Sequence, residues 1–275
     1  MRKRWVQAMF WAVLLLPAQA ALAAEAALKL GVIPYLSTRS LFSFYEPVQK
    51  ALEVRLGRRV ELLTAPDYAT FHHRTLAGDY DIVITNPVYG RIAQKDVGYE
   101  PVARAATNLS PVVIVPLKSA AVTVADLAGK TIAITEQTAT ITQIGQQYLK
   151  QQSVRDVKYV VTRSHTNSIA FLERGEADAA ISSTTALKQA VPAARANVRV
   201  LQEIGSQVAP IVYLLAPARE GLTAAGLRHA LIDFAATDAG KRYVDALGHD
   251  GIAPLTAKDM PALDVYAEEL KPHLK

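Results

Sequence analysis

The chain contains no cysteine among its 275 residues. That excludes disulfides, thiolate nucleophiles and thiolate metal sites. It also excludes a lipid-modified N-terminal cysteine. Aromatic residues make up only 7% and charged residues 20%, so no charged tail or aromatic-rich platform stands out. After the first two dozen residues no apolar run approaches the roughly 20 residues that span a bilayer. A strong basic excess is lacking as well. The formal charge is +5, but three of the 30 Lys and Arg are Arg2, Lys3 and Arg4. Without them 27 basic residues face 25 acidic ones, a balance of +2. That is no nucleic-acid footprint, and it leaves the body of the protein open to an anionic ligand.

What is present begins at the N-terminus. Arg2, Lys3 and Arg4 precede an uncharged, mostly apolar stretch from Trp5 to Leu16, then Pro17 and a run of small residues. Ala21-Leu22-Ala23 fits a small-x-small cleavage site, with Ala18-Gln19-Ala20 as a second choice. This layout reads as a secretory signal peptide over residues 1–23. It predicts a mature protein free in the periplasm and not a lipoprotein.

The remaining chain alternates strand-like and helix-like segments. Leu28 to Pro34, Val60 to Thr64 and Asp81 to Thr85 read as strands. Between them, Phe44, Tyr45, Val48, Leu52 and Leu56 give a helical period that stops at Gly57. Asp67 is a cap for a helix over Tyr68 to Ala77, closed by Gly78, and Asn86-Pro87 starts another. A second unit of the same kind follows. It has strands over Thr131 to Thr135, Val157 to Val161 and Ala177 to Ile181, and helices over Thr140 to Gln151, Ser168 to Arg174 and Thr185 to Ala190. Two apolar strands, Pro111 to Pro116 and Pro210 to Ala216, flank this unit. Only helices are expected after the second of them, over Ala224 to Ala236, Ala239 to Leu247 and Asp259 to Leu270. The pattern predicts an α/β protein of two lobes joined by two crossing strands. Residues 24–113 and 213–275 form lobe one, and 114–212 form lobe two. Such a chain closes on a ligand by hinge motion.

Several local motifs sharpen this reading. They are Gly31-Val32-Ile33-Pro34, with Pro47 to Gly57 behind it, and Ala65-Pro66-Asp67-Tyr68-Ala69, followed by Ala77-Gly78-Asp79-Tyr80-Asp81-Ile82. Further on stand Asp126-Leu127-Ala128-Gly129-Lys130-Thr131, His165-Thr166-Asn167-Ser168 and Gly175-Glu176-Ala177-Asp178-Ala179. Together they resemble the phosphate, phosphite and phosphonate-binding family of periplasmic ABC-transporter receptors, with the type II periplasmic binding protein fold. The resemblance implies a soluble, monomeric receptor without cofactor or metal. It would bind a small phosphorus oxyanion and deliver it to an inner-membrane ABC permease. Some divergent members serve a sensor histidine kinase instead. Tyr35-Leu36-Ser37-Thr38 loosely resembles a segment of chorismate dehydratase, but no triad, metal cluster or paired carboxylates accompany it, so an enzyme is not expected.

The matched positions give a candidate site of Tyr35, Tyr68, Thr85, Asn86, Thr138, Ala139, Thr140, His165, Ser182 and Ser183. Glu136-Gln137-Thr138-Ala139-Thr140 places hydroxyls and free backbone N–H groups at a helix start, where phosphate-like groups bind. Thr166 and Ser168 near the next helix start, and Ser182 to Thr185 at a third, are expected to aim donors at the same cleft. Asp81 and Asp178 read as structural. His72-His73 reads as a solvated pair on two faces of a helix. Relatives that bind aminophosphonates hold the amine with carboxylates at positions that fall here on Thr185 and near Ala209. A Tyr that contacts the phosphonate there falls near Thr85. The missing acids imply that 2-aminoethylphosphonate is disfavoured against phosphate, phosphite or a small alkylphosphonate.

Overall fold

The computed structural model describes residues 26–35, 38–219 and 221–274. The expected signal peptide lies outside the described residues. Two separate sheets organise the chain. The first is built from β1 (Leu28–Val32), β2 (Val60–Leu63), β3 (Ile82–Thr85), β4 (Glu100–Ala105), β10 (Val212–Leu215) and β11 (Ile252–Pro254), in the order β11-β4-β10-β3-β1-β2. The second contains β5 (Pro111–Pro116), β6 (Thr131–Ile134), β7 (Lys158–Val161), β8 (Ala179–Ser183) and β9 (Val198–Glu203), in the order β7-β6-β8-β5-β9. Each sheet has the same plan. Three parallel strands, β2-β1-β3 or β7-β6-β8, adjoin one antiparallel strand that arrives from the other sheet.

Helices cover both sheets. On the first lie α1 (Thr38–Leu56), α2 (Tyr68–Leu76) and α3 (Pro87–Val97). On the second lie α4 (Thr140–Gln151), α5 (His165–Glu173), α6 (Thr184–Gln189) and α7 (Pro192–Ala196). The chain then returns to the first sheet with α8 (Ala224–Ala236), α9 (Asp238–Ala246) and α10 (Asp264–Leu270). Helix α1 shows why these segments fold as they do. Leu41, Tyr45, Val48 and Leu52 recur at helical spacing, and all four are buried against β1, β3, α8 and α9 in one core.

The two halves start their sheets in the same way. Asp81, just before β3, accepts a hydrogen bond from the Lys29 N–H at 2.7 Å. Asp178, just before β8, accepts one from the Thr131 N–H at 2.9 Å. Both carboxylates therefore pin the entry of a parallel strand, as the structural reading anticipates.

Three sequence expectations need correction. The strand Pro111–Pro116 lies wholly in the second sheet, because Pro111, Val112 and Val113 pair with Ser183, Ser182 and Ile181. Likewise Val212 pairs with Thr85 in the first sheet. Sheet membership thus moves residues 111–113 to the second lobe and 212 to the first. The chain crosses between sheets in 106–110 and 204–211, which bond to each other through Leu109 N–H to Val208 C=O at 2.7 Å. The C-terminal region is not all helix either, since β11 adds an edge strand to β4. Three residues with a Pro at the end give too short a period to read. Strands β4 and β9 are also found where no strand was assigned.

Helix α10 touches both lobes. Arg91 of α3 donates to both carboxylate oxygens of Asp264 at 2.8 and 3.0 Å, while Lys150 of α4 pairs with Glu269 at 2.7 Å.

Helix α4 packs tightly on the second sheet because position 145 carries no side chain. A Cβ on Gly145 would sit 2.6 Å from the Ile181 Cγ2 on β8. Gly145→Ala gains about 1 kcal/mol of helix propensity but overpacks this contact at a cost of about 1–3 kcal/mol. A net loss in urea unfolding is expected, and Ile181→Ala in the same chain should recover part of it.

Candidate functional site

In open α/β sheets, ligands bind beyond the carboxyl ends of the strands. Here the carboxyl ends of all six parallel strands border one cavity of about 270 Å³ between the sheets. From the first lobe come Ile33 and Tyr35 after β1, Tyr68 after β2 and Asn86 after β3. From the second come Ala139, Thr140 and Ile141 after β6, His165 after β7 and Ser183 at the end of β8. The crossings add Leu109, Pro210 and Ile211, and the turn after α9 adds Leu247 and His249.

Seven of the ten candidate residues therefore meet in this cavity: Tyr35, Tyr68, Asn86, Ala139, Thr140, His165 and Ser183. Thr85, Thr138 and Ser182 do not line it. Thr85 is buried in β3 with its hydroxyl unpartnered. The Thr138 side chain faces the Tyr89 hydroxyl. Ser182 is fully buried behind His165, and its hydroxyl lies 3.0 Å from the His165 Nδ1.

Helix capping accounts for several of these polar groups. Asp67, Asn86, Ser164 and Ser183 each cap their own helix, accepting from the N–H of Thr70, Tyr89, Asn167 and Ala186. Those acceptors satisfy one of the orphan N–H groups of each helix. Helix α4 differs. Its N-cap is Ala139, which has no side-chain acceptor. The first backbone bond back into the helix is Gln143 N–H to Ala139 C=O, so the N–H groups of Thr140, Ile141 and Thr142 precede it. The loop in front is held by Gln143, whose Nε2 donates to the Gln137 carbonyl. The expectation of three converging donor sets is thus corrected. Ser168 is committed to Thr162 at 2.7 Å, Thr166 is exposed, and Ser183 is a cap.

Two side chains in the cavity wait for a partner. The Thr140 Oγ1 and the Asn86 Nδ2 are buried, and neither makes a hydrogen bond among the described residues. Buried polar groups are nearly always paired, and an orphan costs about 1–3 kcal/mol. Asn86 has spent its oxygen as the α3 cap at 2.8 Å, so only its NH₂ remains to donate. Thr140 stands on the opposite lobe at the uncapped helix start.

The remaining polar groups are neutral. Burial pushes the His165 pKa down to about 4, so its ring is uncharged at neutral pH. The Ser182 hydroxyl engages Nδ1, which leaves Nε2 as the ring nitrogen directed away from that serine. Tyr35 lies 3.0 Å from the Tyr45 hydroxyl, oxygen to oxygen, which ties its polar tip to the lobe-one core. Burial raises the Tyr68 pKa, reinforced by Tyr89 and the Glu136 carboxylate. Among the described residues no Lys, Arg, Asp or Glu lines the cavity. Thr185 and Ala209, the positions of the missing acids, do not line it either; Thr185 lies 3.6 Å from where a Cβ on Gly248 would be. Among the described residues no three His, Asp or Glu converge as a metal site.

His72 overturns the reading of a solvated pair. It is buried and stacks on Tyr89 with ring centroids 4.4 Å apart, whereas His73 is exposed. Sequence reasoning missed His249, Leu247 and the crossing residues, because no motif marks them.

His72 and His165 predict an acid limb in stability. Burial lowers each from the usual 6.5 to about 4. The unfolded chain then takes up protons near 6.5 and the folded one only near 4. Stability is full above pH 6.5 and falls as pH drops through 4, by no more than about 3 kcal/mol per histidine. Urea unfolding as a function of pH should show this, and His165→Gln should flatten part of the slope.

The profile of the family described as "ABC transporter, phosphonate, periplasmic substrate-binding protein" matches residues 30–260. No curated relative matches the sequence. Among solved structures, XAC2383 from Xanthomonas citri, bound to ATP, is 16% identical over 90% of this chain and 99% of its own, with a TM-score of 0.77. PhnD1 from Prochlorococcus marinus, in complex with methylphosphonate, is 16% identical over 89% and 98%, with a TM-score of 0.74. The periplasmic aliphatic sulphonate binding protein SsuA from Escherichia coli is 18% identical over 90% and 92%, with a TM-score of 0.65. These likenesses establish the type II periplasmic binding protein fold, and the profile match establishes that the chain belongs to the ABC-transporter periplasmic substrate-binding proteins of the phosphonate family.

Proposed function

We propose that this protein is a receptor that captures a small tetrahedral oxyanion, of the phosphonate type, between its lobes and presents it to an ABC permease. The observation that carries this reading is the pair of orphaned donors. Thr140 Oγ1 and Asn86 Nδ2 stand on different lobes and border one cavity. A ligand rich in acceptors satisfies both at once, and does so only when the lobes are closed. The uncapped start of α4 adds N–H groups and the positive end of the helix dipole. His165 supplies a further neutral donor, oriented by Ser182. Tyr68 closes the first-lobe side with its ring. Ala139 and Ser183 contribute wall, and Thr85, Thr138 and Ser182 support it from behind.

A phosphonate-binding and a sulphonate-binding protein both share this fold, and a tetrahedral oxyanion is common to their ligands. The reading includes export by the N-terminal leader, cleavage near residue 23 and a monomer without cofactor. Binding without turnover is expected, because the hydroxyl paired with His165 belongs to Ser182, which is fully buried and does not line the cavity.

Two measurements test the reading. Thr140→Val and His165→Gln should each weaken methylphosphonate binding by about 1–3 kcal/mol in calorimetry, the worth of hydrogen bonds to a charged group. Thr166→Ala, an exposed neighbour, should leave it unchanged. If neither cleft variant alters affinity, these residues are not in the site.

A thermal-shift panel should rank 2-aminoethylphosphonate below methylphosphonate. An ammonium group brought into a cavity without a carboxylate loses hydration and gains no partner. A ligand at a hundredfold excess over its Kd stabilises by about 2.7 kcal/mol, enough to read directly. The largest shift from the aminophosphonate would remove this specificity.

A further inference from the structure

The cavity holds a charge balance that points to the ligand's own charge. No cationic side chain borders it among the described residues. Its fixed positive elements among the described residues are helix starts, each equivalent to roughly half a unit charge, and that of α4 has no side-chain cap. At the starts of α2, α3 and α5 one N–H each is already taken by the cap residue, and the Asp67 cap of α2 brings a negative charge of its own. Negative charge stands nearby, because the Glu136 carboxylate acts on both Tyr68 and Tyr89. Much of the rest is apolar: Ile33, Leu109, Ile141, Pro210, Ile211 and Leu247.

In such a setting the second charge of an anion is far more costly than the first. The self-energy of a buried ion grows as the square of its charge, while neutral donors return only a roughly linear gain. The volume argues in the same direction. About 270 Å³ lies near the lower end of the roughly 300–1,000 Å³ typical of small organic ligands. A bare oxyanion would leave the apolar wall uncovered.

Resting on the oxyanion reading above, we propose that the site selects singly charged organic oxyanions, a sulfonate or a phosphonate monoanion, over doubly charged phosphate and phosphonate. The oxyanion head meets Thr140, Asn86 and His165. Its uncharged organic group covers Pro210, Ile211 and Leu247.

The proposal is testable through pH because the cavity's own groups are silent above neutrality. His165 titrates at about 4, and burial lowers the His249 pKa against the opposing pull of the neighbouring Asp250. His72, stacked behind Tyr89, also titrates at about 4. The pKa values of Tyr35, Tyr45 and Tyr68 are raised by burial, and that of Tyr89 to about 12. Asp67, beside Tyr89, is held low by its bond from Thr70. Between about pH 6.5 and about pH 9 the change in charge belongs to a ligand with a second ionisation in that region.

Calorimetry on the mature protein at those two pH values would use four probes. Propanesulfonate and the monoester ethyl methylphosphonate carry one charge throughout. Methylphosphonate and inorganic phosphate pass from one charge towards two. The Kd of the first pair should change by less than about twofold. That of the second pair should rise about fivefold or more on going to the higher pH. Thr140→Val should weaken all the probes that bind, placing them in one site. If methylphosphonate binds equally well or more tightly at about pH 9, charge selection is overturned while the oxyanion reading stands. If inorganic phosphate matches propanesulfonate at both pH values, the proposal is likewise overturned. If none of the four binds at either pH, the oxyanion reading fails and this inference with it.

Discussion

A helix start needs acceptors for its first N–H groups, and α4, at the cleft, receives none from a side-chain cap. Its neighbours are treated differently: α2, α3 and α5 each carry a capping residue one position before the helix. The omission at Ala139 only makes sense against the rest of the structure. Gly145 lets α4 sit close on β8, and Gln143 fastens the loop before it, so the unfilled helix start is held at one place. The hydroxyl of Thr140 is buried there without a partner. On the function proposed here, a ligand completes the hydrogen-bond accounting at this point, as an internal side chain would.

The duplicated plan of the two sheets puts this point opposite a matching one. Because β1, β2 and β3 run parallel, and β6, β7 and β8 run parallel, each lobe gathers its strand ends on one edge. The crossings turn those two edges towards each other. Asp81 and Asp178 fix the opposite edges, where strands begin, and so work at a distance from the ligand. Helix α10 adds a third bridge across the lobes, through Arg91–Asp264 on one side and Lys150–Glu269 on the other. The Lys150–Glu269 pair is exposed and of small energetic weight. Its geometric interest is that it ties the C-terminal turn of α4, whose other end carries Thr140, to a helix that Arg91 of α3 holds from the first lobe.

Neutrality is the second theme of the cleft. His165, His249 and the tyrosines are uncharged for the same reason, burial among apolar side chains. Placing charge in such surroundings without a partner is costly, so in the proposed receptor the ligand would bring the charge and the protein the dipoles.

The local sequence determined a good deal by itself. Residue periodicity and caps set α1, α2, α4 and the parallel strands, since short-range sterics and hydrogen bonds decide those elements. The Thr138-Ala139-Thr140 segment already marks a helix start at the cleft, because a helix start with small hydroxylated residues is a local feature, and Ala139 and Thr140 do line the cavity. Tertiary structure decided what depends on distant partners. Whether Ser168 serves a ligand or Thr162, and whether Ser182 lines the cleft or supports His165, depends on neighbours brought near by sheet pairing. His72 looked like a surface histidine until Tyr89 was folded over it. The edge strand β11 is too short to carry a period and exists because β4 offers it a ladder. Leu247 and His249 reach the cavity because α8 and α9 return the chain to the first lobe, a long-range placement that no local pattern of residues encodes.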